Sequence, residues 1–161
     1  MQRAIVASVC LVAILSVPSF GRADVKRYGG AECVTSYSTT SQAYYWANQL
    51  QNNSASNHTF YCPIVLDCDK LNSGHIYVWD RNHGDDFSCR MQNHNPLSTG
   101  GTYYYTNIAI DGGVYTAPRK FTFGGVSYFA DGHRSIRCVV PGRDSDTNQR
   151  SVIVTYAVNE C

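Results

Sequence analysis

In a chain of 161 residues the 13 basic side chains nearly cancel the 12 acidic ones, so there is no basic field to hold nucleic acid or an anionic membrane and no acidic run to solvate a disordered tail. Aromatic clusters are not interleaved with Lys or Arg, and sequence-independent nucleic-acid binding lacks its electrostatic term. The length suits one domain with its own core.

Arg3 precedes an apolar run from Ala4 to Val17, broken only by Ser8, Cys10 and Ser16, and followed by Pro18 and small residues. This is the pattern of a secretory signal peptide. The run is too short for a membrane span of about 20 apolar residues, and no later stretch approaches that length. Cleavage is expected after Ala23, with Gly21 and Ser19 as rival positions, leaving residues 24–161 as a secreted domain, extracellular or periplasmic. Cys10 lies inside the run rather than after it, against a lipoprotein anchor. It leaves with the leader, and Cys33, Cys62, Cys68, Cys89, Cys138 and Cys161 remain. An even set in an exported chain implies a disulfide framework. Zinc would need closely spaced pairs, and Cys62 with Cys68 has no companion pair.

From Val34 onward short β-prone runs alternate with Gly, Asn, Asp and Ser clusters, and no helical period is sustained. Strands are expected near Tyr44–Leu50, Thr59–Leu66, His75–Asp80, Phe87–Met91, Thr102–Ile110, Lys120–Phe123, Val126–Phe129, Ser135–Val140 and Ser151–Val158. Turns are expected at Asn72-Ser73-Gly74, His83-Gly84-Asp85, Ser98 to Gly101, Asp111-Gly112-Gly113, Gly124-Gly125 and Asp131-Gly132. The spacing points to an all-β fold, a single antiparallel β-sandwich, Ig-like or jelly-roll-like. Period-two alternation groups Phe60, Cys62, Ile64 and Leu66 on one side, as it does Phe87, Cys89 and Met91, and Ile136, Cys138 and Val140. Three cysteines thus share the inward phase, as bridges in a sandwich core require, with connectivity left open.

Leu50-Gln51-Asn52-Asn53-Ser54, Tyr61-Cys62-Pro63-Ile64, the run Tyr77 to His83, Phe87-Ser88-Cys89, Arg137 to Pro141 and the closing strand from Ser151 to Val158 resemble a family of small secreted β-proteins of environmental bacteria. The likeness spans roughly residues 33 to 158. It implies a signal peptide followed by one cysteine-bridged β domain, and it carries no activity, substrate or partner. Against the four cysteines usual there, Cys68 and Cys161 are additional, which implies an extra bridge between the Asp67–Lys70 loop and the C-terminus. Together with the inward phase this favours Cys89 with Cys138, Cys33 with Cys62, and Cys68 with Cys161.

No catalytic motif stands out. Gly125-Val126-Ser127-Tyr128-Phe129 fails the G-x-S-x-G elbow at its last position, and H-E-x-x-H is absent. Glu32 and Glu160 are the only glutamates, near the chain ends, so a glycosidase pair would have to be built from aspartates. His58, His75, His83, His94 and His133 form no short-range pair. Two loops could offer oxygen ligands to Ca²⁺: Asp80, Asn82 and Asp86 in the first, Asp144, Asp146 and Asn148 in the second. Neither completes a Ca²⁺ loop, and Asp and Asn are equally ordinary turn residues.

A binding site has a compositional motive, because 12 tyrosines and two tryptophans cluster as Tyr44-Tyr45-Trp46, Tyr77 with Trp79, and Tyr103-Tyr104-Tyr105. Flat aromatic faces stack on the apolar faces of pyranose rings, although tyrosine also suits half-buried strands. Ile108 and Ile110 share phase with Tyr104, so Tyr103 and Tyr105 should face the other side. The expectation is a non-enzymatic binding module whose ligand, a glycan the leading candidate, lies on a shallow surface of Tyr103 and Tyr105 joined by Tyr77 and Trp79. A secreted hydrolase assembled from distant Asp, His and Ser residues, or a structural or adhesive surface protein, are the alternatives.

Overall fold

The structure, a computed structural model, describes residues 24–35, 43–67, 70–94, 103–106, 109–110, 115–126 and 132–161, with the side chains of 103–105 and 109–110 outside the description. Twelve strands follow one another: β1 (Asp24–Gly29), β2 (Val34–Thr35), β3 (Ala43–Trp46), β4 (Gln49–Asn52), β5 (His58–Pro63), β6 (Leu71–Trp79), β7 (Ser88–His94), β8 (Tyr103–Tyr105), β9 (Ala109–Ile110), β10 (Arg119–Gly124), β11 (His133–Val140) and β12 (Val152–Glu160), with a 3-10 turn at Gly30–Glu32. They form two six-stranded antiparallel sheets. Sheet A runs β10-β6-β12-β4-β3, and β1 shares with β4 the second edge of β12; sheet B runs β2-β5-β11-β7-β8, with β9 beside β8 on β7. From β4 to β7, and again from β9 to β12, each connection switches sheets, a winding of jelly-roll type rather than the hairpin-rich Ig pattern.

The expected inward residues form the core. Phe60 and Cys62 of β5 with Ile64 just beyond it, Cys89 and Met91 of β7, and Ile136, Cys138 and Val140 of β11 are buried against Leu50, Ile76, Val78, Phe121, Phe123, Ile153, Tyr156 and Val158 of sheet A. Burying each such side chain contributes about 1.5–3 kcal/mol. Phe87 meets Phe121 edge-on across the sheets, and the Tyr156 hydroxyl donates to the Pro63 carbonyl at 2.7 Å.

Cys33–Cys62 and Cys89–Cys138 are bonded as expected. Cys89 stands directly opposite Cys138 in the β7–β11 register, and Cys33 continues the β2–β5 register opposite Cys62, so both bonds lie within sheet B. Cys161 is also disulfide-bonded; Cys68, its expected partner, lies outside the described residues.

Two strand expectations and one turn expectation are corrected. The run Tyr44–Leu50 is a hairpin, β3 to β4, turning through Ala47 and Asn48 with φ of 47° and 64°; two positive φ values make the tight turn that matches strand twist. Asn72-Ser73-Gly74 is not a turn but part of β6. Gly74 is buried because a Cβ there would stand 2.9 Å from Met91 Sδ, so its missing side chain admits the opposite sheet. The run Thr102–Ile110 is two short strands whose register on β7 slips by one between Tyr105, opposite Gln92, and Ala109, opposite Cys89. β1 was not expected, and it begins at Asp24, paired with Glu160. Val126–Phe129 lies outside the described residues beyond Val126.

Candidate functional site

The outward positions of sheet A carry an aromatic row. Along β6, buried Gly74, Ile76 and Val78 alternate with the half-buried His75, Tyr77 and Trp79. Trp79 stands opposite Val152, Val152 opposite Gln51, and Gln51 opposite Tyr44, so four strands contribute one row, its ends about 14 Å apart at the usual strand spacing. Val152 is 2% exposed yet is no part of the core between the sheets. Trp46, two residues beyond Tyr44 on the edge strand β3, shares that face, with Gln49 opposite it. Tyr44 is 49% exposed and Trp46 60%. Tyr45 points to the other side of β3, where its hydroxyl donates to the Cys33 carbonyl at 3.3 Å.

The inner end of the row is anchored. The Trp79 indole N–H donates to the Tyr115 carbonyl at 2.7 Å, while the Arg81 guanidinium lies 3.5 Å over the indole ring. Arg119 lies 3.6 Å over the Tyr115 ring and donates to its hydroxyl, and Arg150 is 5.9 Å from the Tyr44 ring. Stacked guanidinium and ring attract through the ring quadrupole. A cavity of about 520 Å³ opens here, lined by Trp79, Arg81, His83, Tyr115, Thr147 and Gln149. Tyr77 is less available, since His75 meets its ring edge-on; burial lowers the pKa of that imidazole.

The loops expected to offer Ca²⁺ ligands spend their oxygens on donors instead. Asp80, fully buried, accepts from Asn82 N–H and the Ser151 hydroxyl at one oxygen and from Phe87 N–H at the other. Asn82 Oδ1 accepts from the backbone N–H groups of Gly84 and Asp85, and its amide donates to the Gly142 carbonyl. Asp86 is exposed. Asp144 accepts from His83 N–H and, at 2.9 Å, pairs with His83 Nδ1; its other oxygen takes Asp146 N–H, Thr147 N–H and the Thr147 hydroxyl. Those bonds, the His83 N–H first, hold its carboxyl well below the usual carboxylate range. A carboxylate orienting a histidine is a hydrolase element, but among the described residues no hydroxyl hydrogen-bonds that ring. Asp24, Asp67 and Glu160 also converge, and the Lys26 ammonium pairs with two of them, 2.7 Å from Asp67 and 3.2 Å from Glu160.

The four aromatics expected to form one surface divide between the sheets. Tyr77 and Trp79 lie on β6 of sheet A, whereas Tyr103 and Tyr105 lie on β8, at the far edge of sheet B, opposite His94 and Gln92; their side chains lie outside the described residues. Beside β8 a groove of about 520 Å³ crosses sheet B past Gln92, His94, His133, Ser135, Pro63 and Tyr61. Tyr44 and Trp46 belong to the candidate surface although the sequence reading left them out. Their signal was the Tyr44-Tyr45-Trp46 cluster, hidden by the unrecognised Ala47-Asn48 turn.

Compared by sequence, the chain matches no protein-family model and no curated protein. Compared by structure, it is similar to a low-affinity xylan-binding module, CBM86, from the gut symbiont Roseburia intestinalis, with a TM-score of 0.51 and 10% identity over 86% of this chain and 96% of that chain. The CBM36-1 domain of a multidomain xylanase from the hindgut metagenome of Trinervitermes trinervoides gives 0.49 and 10% over 86% and 98%. A family two carbohydrate esterase from Cellvibrio japonicus gives 0.47 and 6% over 86% of this chain and 34% of that chain. At such identity the likeness concerns the fold: the chain is an all-β, disulfide-bridged sandwich whose structural neighbours include carbohydrate-binding modules.

Proposed function

We propose that this chain is a carbohydrate-binding module whose glycan lies along the outer face of sheet A, stacked on Tyr44 and Trp46. The observation that carries the reading is the pair of half-exposed rings on one face of an edge strand. A large aromatic left in water forgoes burial that a ligand can supply, and contiguous exposed apolar surface marks interaction sites. The apolar face of a pyranose ring fits a flat indole, while Gln49 and Gln51, across from these rings, offer amide donors and acceptors to its hydroxyls. The neighbours' fold supports the reading, and what each of them binds belongs to each of them.

Export is part of the proposal. Disulfides persist in oxidising compartments, residues 1–23 have the composition of a removable leader, and among the described residues no helix is long and apolar enough to cross a membrane. N-terminal sequencing of the secreted chain should then begin at Asp24. Trp46→Ala should lower the association constant for the bound polysaccharide about tenfold or more, roughly 1.4 kcal/mol, in titration calorimetry or affinity electrophoresis, with an unchanged melting temperature. Full binding by a Tyr44→Ala, Trp46→Ala double variant would refute the placement.

A further inference from the structure

Two histidines far apart in the sequence meet on the outside of sheet B. His94 closes β7 and His133 opens β11, and they stand directly opposite each other in the β7–β11 register. Each is out of phase with the core residues of its own strand, Cys89 and Met91 in β7, Ile136 and Cys138 in β11, so both leave the sheet on its outer side. Both line the groove that crosses sheet B beside β8. Side chains opposed on an antiparallel pair have Cβ atoms about 4.5–5.5 Å apart. Two imidazoles on such a pair can converge on one ion, at metal–nitrogen bonds of about 2.0–2.1 Å.

A second observation in the same groove points to a ligand. Gln92, two residues before His94 on the same face, is 4% exposed. Its amide donates to the Ser135 hydroxyl across the strand pair at 3.3 Å, and its carbonyl oxygen Oε1 is buried with no hydrogen-bond partner. A buried acceptor left unpaired costs stability, and a cation seated in the groove would remove that cost. Among the described residues the groove is lined by no carboxylate, and its one permanently charged residue is Arg134, so nothing there draws a hard, oxygen-seeking ion such as Ca²⁺.

We propose that His94 and His133 bind a divalent transition-metal ion of the Zn²⁺ and Cu²⁺ class, with Gln92 Oε1 as its oxygen ligand. Imidazole nitrogen suits these ions. Three neutral ligands leave a tetrahedral ion one position open to the groove, as in sites that exchange a water or a substrate oxygen rather than purely structural ones. The ion and the proposed glycan belong to opposite sheets, so either site can fail without the other.

Titration calorimetry and thermal melting of the disulfide-bonded chain with Zn²⁺, and with Ca²⁺ in parallel, test it. Zn²⁺ should bind one site per chain and raise the melting temperature by mass action, and Ca²⁺ should do neither there. His133→Gln, at an exposed position, should lower Zn²⁺ affinity about tenfold or more and melt as wild type without metal. His94→Gln should match that loss, and Gln92→Leu should weaken binding by less. Undiminished Zn²⁺ binding by the His94→Gln, His133→Gln double variant would place the ion at other residues and overturn the proposal. So would the absence of saturable binding at about 1 mM Zn²⁺, or Ca²⁺ competing with Zn²⁺ on equal terms. A Gln92→Leu variant that binds as wild type overturns the oxygen ligand.

Discussion

The two outer faces of the sandwich have the same topology and opposite construction. Sheet B holds both described disulfides, and its groove past Gln92 and His133 carries one aromatic ring among the described residues, the half-buried Tyr61. Sheet A carries Tyr44 and Trp46 open to water, and Trp79 and Tyr115 under arginines. The bridges fix sheet B from its buried side, whereas sheet A leaves aromatic area unspent on its outer one. The fold thus separates the covalent cross-links, buried in sheet B, from the water-exposed rings of sheet A, the face proposed to meet the glycan.

Four perturbations should sharpen or break this division. Asp80→Ala strips the acceptor from three donors beneath the sheet A site and should cost about 3 kcal/mol or more in denaturant unfolding, with glycan affinity falling too because the ends of β6 and β12 lose their common anchor. The Cys89→Ala, Cys138→Ala double variant should cost about 2–4 kcal/mol and leave affinity unchanged below its melting temperature; a parallel loss of binding would end the assignment of separate roles. Trp46→Ala inverts that pattern, with stability changed by no more than about 0.5 kcal/mol, whereas Tyr61→Ala in the sheet B groove should leave binding intact. Calorimetric scans against pH probe Asp144. Its carboxyl is held below the ordinary range in the folded chain, so its contribution is complete above the usual carboxylate pKa of about 4 and is lost as pH falls below it. Asp144→Asn should lower the neutral-pH melting temperature toward the wild-type acid value, flattening that limb, and leave the acid end in place.

Alternation made the core legible: Phe60 with Cys62, Cys89 with Met91 and Ile136 with Cys138 fall where a two-residue period places them. It failed wherever a residue type had two uses. Gly74 reads as a turn former and serves as a gap for Met91; Ala47 carries no turn signal and adopts positive φ. The slip between β8 and β9 broke the phase that set Ile110 against Tyr105. The motif residues were legible as a pattern but not as to purpose. Asn52, in Leu50-Gln51-Asn52-Asn53-Ser54, is a buried clamp whose amide donates to the Val140 and Pro141 carbonyls, and Asp80 is another. The candidate site was hidden for a different reason. Trp79 and Tyr44 are distant in sequence and fall into one row only through the β6–β12–β4–β3 register, which no local period reveals.

The direct opposition of Cys89 and Cys138 also bears on how the chain matures. A one-residue slip of β7 against β11 would turn one thiol to the outer face and leave the other in the core, beyond bonding reach. Oxidation can therefore close that bridge only on correctly aligned strands, and the closed bond then acts as a lock that holds sheet B in its native alignment and that no one-residue shift can set.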